Sequence, residues 1–181
     1  MRRPSRFLPV LALLLLAIGC SGSPRQAETS PSSVSVAPVS FERLSARLAG
    51  VWAMLDENGA PLPDPALTSR MTANGSALVE RIFPGQPHEM VSVYHRDGDA
   101  VVLTHYCALG NAPHMVLAPE STEDRWVFVC DEQGSNFDEA ELHMHRGVLT
   151  WEGEDRFRSA WTTHEGGVAG GTVEFDAVRL D

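Results

Sequence analysis

The sequence contains no lysine. Its fourteen basic residues are all arginine and face twenty-four acidic ones, so the formal net charge is −10 over 181 residues. No basic cluster stands out. Nucleic-acid binding needs a cationic surface to displace counterions, so nucleic acid is set aside as a partner. Cysteine is scarce, at three residues. No repeat of fixed period appears. Nucleotide-binding, hydrolase and zinc signatures are missing, which weighs against an enzyme and names no cofactor. The length suits one domain of ordinary size, and the apolar content is enough for a core.

What is present begins with a targeting segment. Arg2, Arg3 and Arg6 precede an apolar stretch, Leu8 to Ile18, that is too short for a standard membrane span. It ends in Leu16-Ala17-Ile18-Gly19-Cys20, which resembles a bacterial lipobox, with a small residue directly before the cysteine. Ala17 departs from that pattern, where leucine is commoner. The resemblance implies lipidation of Cys20 after removal of residues 1–19, a lipoprotein signal peptide. Losing their three arginines takes the formal charge from −10 to −13. An acidic body on a lipid anchor is expected to stand off an anionic membrane surface. Residues 20–38, rich in serine, proline and alanine, read as a tether to a folded domain at 39–181. The address implied is extracytoplasmic, in the bacterial cell envelope. Ser21 permits outer-membrane sorting in a Gram-negative host.

The folded part reads as one short helix followed by strands. Ser40 to Ala49 has an N-cap serine, with Phe41, Leu44 and Leu48 on one face and Gly50 to end it. Val51 to Leu55 is a first strand, and Asp56 to Pro65 a proline-rich loop. Leu67 to Ala73 and Ala77 to Phe83 form a hairpin at Asn74-Gly75, and Glu89 to Arg96 and Ala100 to Cys107 another at Asp97-Gly98. Met115 to Ala118 and Arg125 to Cys130 follow. Glu141 to His145 and Val148 to Glu152 are separated by a turn at Arg146-Gly147. Phe157 to His164 and Thr172 to Leu180, with glycine pairs between them, complete the chain. Short strands at regular spacing with tight turns predict a mainly β fold: a closed up-and-down barrel of about eight to ten strands, one end plugged by the helix.

A short helix, Gly50-Val51-Trp52 opening the first strand, and a meander resemble the lipocalin/calycin superfamily. The middle of the chain is more specifically similar to bacterial calycin-like β-barrel proteins of uncharacterised function. The similar residues are Phe83-Pro84-Gly85, Pro87-His88-Glu89-Met90, Val93-Tyr94-His95 with Asp97-Gly98, Leu103-Thr104-His105-Tyr106-Cys107, Gly110-Asn111 with Pro113, and His143-Met144-His145. The resemblance implies a barrel and brings no reaction. The glycine-rich entry motif of heme-binding barrels of the nitrobindin type is missing, since Ala53-Met54-Leu55 follows Trp52.

Four of the seven histidines lie between Pro84 and Met115. A type I turn at Arg96-Asp97 with Gly98 left-handed pairs residue 95 with 99. The same register sets Glu89 opposite His105 and directs Glu89, Val91, Val93, His95, Val101, Leu103, His105 and Cys107 inward. Met90, Ser92, Tyr94, Val102, Thr104 and Tyr106 then face outward. A two-residue turn would instead put His105 opposite Met90. Glu89–His105 reads either as a polar pair holding the hairpin or as the polar anchor of a ligand pocket. His143 and His145, two apart on a strand, can chelate a metal with His105 or Glu89, or can simply lie exposed. Cys107 and Cys130, beyond the cytoplasm, can pair as a disulfide. Ala108 to Pro113 is a turn-rich loop that could rim a barrel mouth.

Three functional expectations follow. The first is a lipid-anchored barrel enclosing a small, mainly apolar ligand oriented by Glu89, His105, Tyr94 and His143. The second is a metal, heme or enzymatic barrel using His105, His143, His145 and Glu89. The third is a filled barrel acting through its surface.

Overall fold

The computed structural model describes residues 39–180. The signal peptide, Cys20 and the tether lie outside the described residues. After helix α1 (Phe41–Leu48), ten antiparallel strands follow: β1 (Gly50–Leu55), β2 (Pro61–Thr72), β3 (Ala77–Ile82), β4 (Met90–Asp97), β5 (Ala100–Tyr106), β6 (His114–Leu117), β7 (Arg125–Asp131), β8 (His143–Trp151), β9 (Arg156–Glu165) and β10 (Val168–Leu180). Each pairs with its sequence neighbours. The pairing of β1 with β10, Val51 opposite Leu180, closes the barrel. Closure satisfies every strand edge that an open meander would leave bare. Among the described residues, no helix is long and apolar enough to cross a membrane.

Helix α1 forms where its capping residues predict. The Ser40 side chain accepts from the Arg43 amide at 3.2 Å, and Phe41, Leu44 and Leu48 are buried. The helix plugs one end of the barrel. Arg47, almost wholly buried, donates to the carbonyls of Glu123 (2.8 Å) and Gly153 (2.6 Å), tying α1 to two turns at that end. Arg179 of β10 donates to the carbonyls of Arg47 (2.8 Å) and Ala49 (2.6 Å), groups that the helix terminus leaves without partners. Gly50, at φ 135°, makes this possible: a Cβ there would stand 2.6 Å from the Arg179 guanidinium. Below the helix, Trp52 packs edge to face on Trp151 and on Phe157 (centroids 4.9 Å apart for the latter), and Trp151 lies tilted against Trp126 and Phe157.

Three expectations are corrected. Pro61, Pro63 and Pro65 belong to β2 rather than to a loop. This first half of β2 pairs only with β1, through bulges, and β3 joins it from Leu67 onward. Prolines are tolerated where no second neighbour needs the missing amide. The turn at Arg146-Gly147 does not exist, because β8 runs unbroken through it. Gly147 is there for space: a Cβ would meet the Trp161 ring at 2.7 Å. Trp161 is itself held by its indole N–H, which donates to Ser159 Oγ at 2.9 Å, and by stacking on His105. Gly147→Ala is therefore expected to cost about 1–3 kcal/mol by overpacking and to alter the near-UV circular dichroism of the tryptophans.

The third correction concerns the β4–β5 hairpin. Its turn is Gly98-Asp99, with Gly98 at φ 58°, and Asp97 pairs with Ala100. His95 therefore faces Val102 instead of residue 99. That slip of three residues is odd, so β4 presents its other face to the core. Met90, Ser92 and Tyr94 point inward with Leu103 and His105, and Ser92, not Glu89 or Met90, is opposite His105.

Candidate functional site

The register that overturns Glu89–His105 builds a different polar row. Glu80 of β3 is opposite Ser92 of β4, and Ser92 is opposite His105 of β5. All three are buried. Tyr94, two residues along β4, donates its hydroxyl to Glu80 Oε2 at 2.8 Å, and Ser92 Oγ lies 3.0 Å from His105 Nδ1. The His105 ring stacks on Trp161, centroids 5.5 Å apart. Tyr94 packs edge-on against Phe128. Two hydrogen bonds, Tyr94–Glu80 and Ser92–His105, thus form a polar row across three strands inside a largely apolar interior.

Burial decides the charge of this row. It raises the Glu80 carboxyl to about 7, because desolvation outweighs the hydrogen bonds from Tyr94 and Ser92. Burial lowers His105 to about 4, so its imidazole is neutral at neutral pH. The Tyr94 hydroxyl is pushed well above its ordinary value by burial and by Glu80, and it stays a donor. Near pH 7 the site offers a carboxyl poised between its two protonation states and a neutral imidazole.

These groups border a cavity of about 70 Å³. Apart from Ser159, its remaining walls are apolar and include Leu67, Phe83, Met90, Met144, Trp161 and Phe175. The volume is about half that of a cavity known to admit benzene. As it stands, the lumen holds a molecule of a few heavy atoms. Two of its walls are methionines, whose unbranched side chains repack readily.

Glu89, expected inside, is bound to Arg81 at 2.6 and 2.8 Å and to the Gly85 amide at 2.7 Å. The Arg81 hydrogen bonds hold its carboxyl below the ordinary range. Tyr94 does line the cavity, on the face opposite to the one expected. His143 and His145 lie at the end of the barrel away from α1, where their ring nitrogens meet Cys130. Neither His105 nor Glu89 joins that group. Cys107 and Cys130 are both free thiols. Cys107 follows β5 and Cys130 is on β7, with β6 between them. Two inter-strand spacings, roughly 10 Å, exceed disulfide reach. The Cys107–Asn111 loop stands at the end of the barrel opposite the helix, closed by its own bond from the Cys107 amide to the Asn111 carbonyl at 3.0 Å.

Sequence reasoning missed Glu80, although a signal was there. Leu78, Glu80 and Ile82 share one face at period two, and a carboxylate between two aliphatics on a core-facing row is a buried carboxylate. The fold and site together define a closed ten-stranded antiparallel β-barrel with a small lumen, an architecture that fits a calycin-like barrel. No family model matches the chain, and no curated protein matches it.

Proposed function

We propose that this barrel is a binding protein for a small, mainly apolar ligand carrying one polar group, held at the cell envelope by a lipid on Cys20. One observation carries the reading: Tyr94, Glu80 and His105 of the polar row border a mainly apolar cavity instead of being sealed within packed side chains. Apolar walls desolvate the ligand, and the polar row sets its orientation. Near neutral pH, Glu80 can donate or accept toward the ligand, while His105 is neutral and costs no buried charge. The similarity of the central hairpin to calycin-like barrels supports the same reading. The lipobox-like Gly19-Cys20 supports a tethered, extracytoplasmic setting.

Native mass spectrometry of the full-length chain, purified from its own host without a tag, tests this. The expected result is a non-covalent adduct on the wild type that is absent from Met90→Trp, which fills the lumen. Titration with phenol and toluene, a pair differing by a hydroxyl, is expected to favour phenol, with the preference lost in Glu80→Ala. No adduct together with no binding of either probe would overturn the reading.

A further inference from the structure

At the end of the barrel opposite the helix, the end of β7, the start of β8 and the intervening segment converge. One ligand atom each from Cys130, His143 and His145 lies within 4.8 Å of the other two. We propose that these three residues, with Glu132 beside them, form a binding site for a zinc-class divalent cation.

The orientation of His143 is the first argument. Its side chain is completely buried. Its Nδ1 donates to the Glu141 carbonyl at 2.7 Å, which fixes the tautomer and makes Nε2 the nitrogen that carries the lone pair. Phe137 stacks on the ring with centroids 4.3 Å apart. A carbonyl partner on the far nitrogen and a packed ring face are the supports by which metal-binding histidines are aimed. That Nε2 is in hydrogen-bond contact with His145 Nδ1, 3.3 Å away, a contact that a cation held between the two nitrogens would replace.

That separation is the second argument. Two ligands of a tetrahedral zinc ion with bonds of about 2.0–2.1 Å stand about 3.3 Å apart. Alternate residues on a regular strand, roughly 6.6 Å apart along the chain, share one face, so two imidazoles at that spacing can incline toward one ion. The register shift between Met144 and Arg146 adds to this, because the β8–β9 ladder skips His145. A bulge that re-aims one side chain is a recurrent feature beside binding sites. His145 is held in its new direction by His164, stacked on it at 3.8 Å with planes 4° apart.

The donor set is the third argument. A thiol, two imidazoles and a carboxylate are the ligands that zinc prefers. Glu132 Oε1 is 3.7 Å from His145 Nδ1. Cys130 Sγ has one weak partner, Ser135 Oγ at 3.5 Å. An S–N edge around zinc is about 3.5 Å, and the thiolate lies within 4.8 Å of both nitrogens, so it needs to move inward by at most about 1.3 Å. Cation binding releases the thiol proton and fastens the segment carrying Glu132 and Phe137 to β8. The site is separate from the Glu80–His105 row, and its existence does not depend on a lumenal ligand.

The test uses the full-length chain, untagged, reduced and stripped of metal, then titrated with Co²⁺ followed by Zn²⁺. The expected result is a thiolate-to-cobalt charge-transfer band and the intense visible bands of a tetrahedral site. Both should saturate at about one equivalent and be displaced by zinc. Cys130→Ser is expected to abolish the charge-transfer band. His145→Ala, at a half-buried position, should weaken zinc binding about tenfold or more. Cys107→Ser and Cys20→Ser should leave both readouts unchanged. A wild type with no charge-transfer band overturns the site, as does a band that survives Cys130→Ser. Equal zinc affinity in wild type and His145→Ala also overturns it. Circular dichroism of each metal-free variant separates loss of the site from loss of the fold.

Discussion

Trp52→Ala is expected to lower the unfolding free energy by about 3–5 kcal/mol, a large share of the roughly 5–15 kcal/mol that holds a domain together. Trp52 is completely buried and does three jobs at once. It fills the space between Trp151 and Phe157. Its indole N–H donates to the Leu48 carbonyl at 2.9 Å, satisfying an orphan group at the end of α1. Its ring also supports the Arg179 guanidinium, 4.2 Å from the ring centroid. Alanine leaves a cavity, an unpaired carbonyl and an unsupported cation. Trp52→Phe keeps much of the volume and loses the donor, so a loss of about 1–2 kcal/mol is expected. Urea titration measures both through the midpoint, provided the slope is unchanged. A loss below about 1 kcal/mol for the alanine variant would show that the helix is not seated on this residue.

The second large effect is a pH dependence that the wild type conceals. Glu80 has its pKa raised from 4.5 to about 7 by burial. Its contribution to stability is therefore complete below pH 4.5 and is lost as the pH rises through 7. His105 has its pKa lowered from 6.5 to about 4. Its contribution is complete above pH 6.5 and is lost as the pH falls through 4. Each shift corresponds to about 3 kcal/mol, with opposite slopes. Between pH 4.5 and 6.5 the two nearly cancel. Removing one exposes the other. The stability of Glu80→Gln relative to wild type is expected to rise with pH across 4.5–7, and that of His105→Asn to fall across 4–6.5. Referring each variant to wild type at the same pH removes the groups they share. Glu89→Gln should show no change resembling that of Glu80→Gln between about pH 6 and 7, since Arg81 lowers the Glu89 pKa and its contribution is lost only as the pH falls toward and below 4.5. Urea midpoints at half-unit pH steps measure this. Parallel profiles for Glu80→Gln and His105→Asn would contradict the burial of one or both.

These two results bear on different ends of the barrel. Trp52 tests the packing of the helix-plugged end. The Glu80–His105 pair tests the polar row beside the cavity. The row carries no net charge when Glu80 is protonated and His105 is neutral, which is the form a low-dielectric interior favours. A ligand presenting a donor to Glu80 favours the carboxylate, and one presenting an acceptor favours the acid. Ligand affinity should therefore depend on pH around 7.

By itself the sequence determined those features whose causes are local. A capping serine before a periodic apolar stripe defines α1, since both act within one or two turns of chain. Alternating side chains bounded by glycine, asparagine and aspartate define most of the strands. Successive tight turns then leave a closed meander as the arrangement without bare edges. Tertiary structure decided whatever depends on pairing between strands. An odd slip in one hairpin exchanged the faces of β4, exposing Glu89 to Arg81 and turning Ser92 and Tyr94 inward. It also decided that Gly147 makes room for Trp161 instead of turning the chain, a demand set by a side chain on the neighbouring strand. The bulge at His145 brings that residue and His143 together with Cys130, thirteen residues upstream of His143. The physical reason is the same each time. Alternation along a strand divides its residues into two faces, but only the strands on either side settle which face meets the core and which residues meet each other.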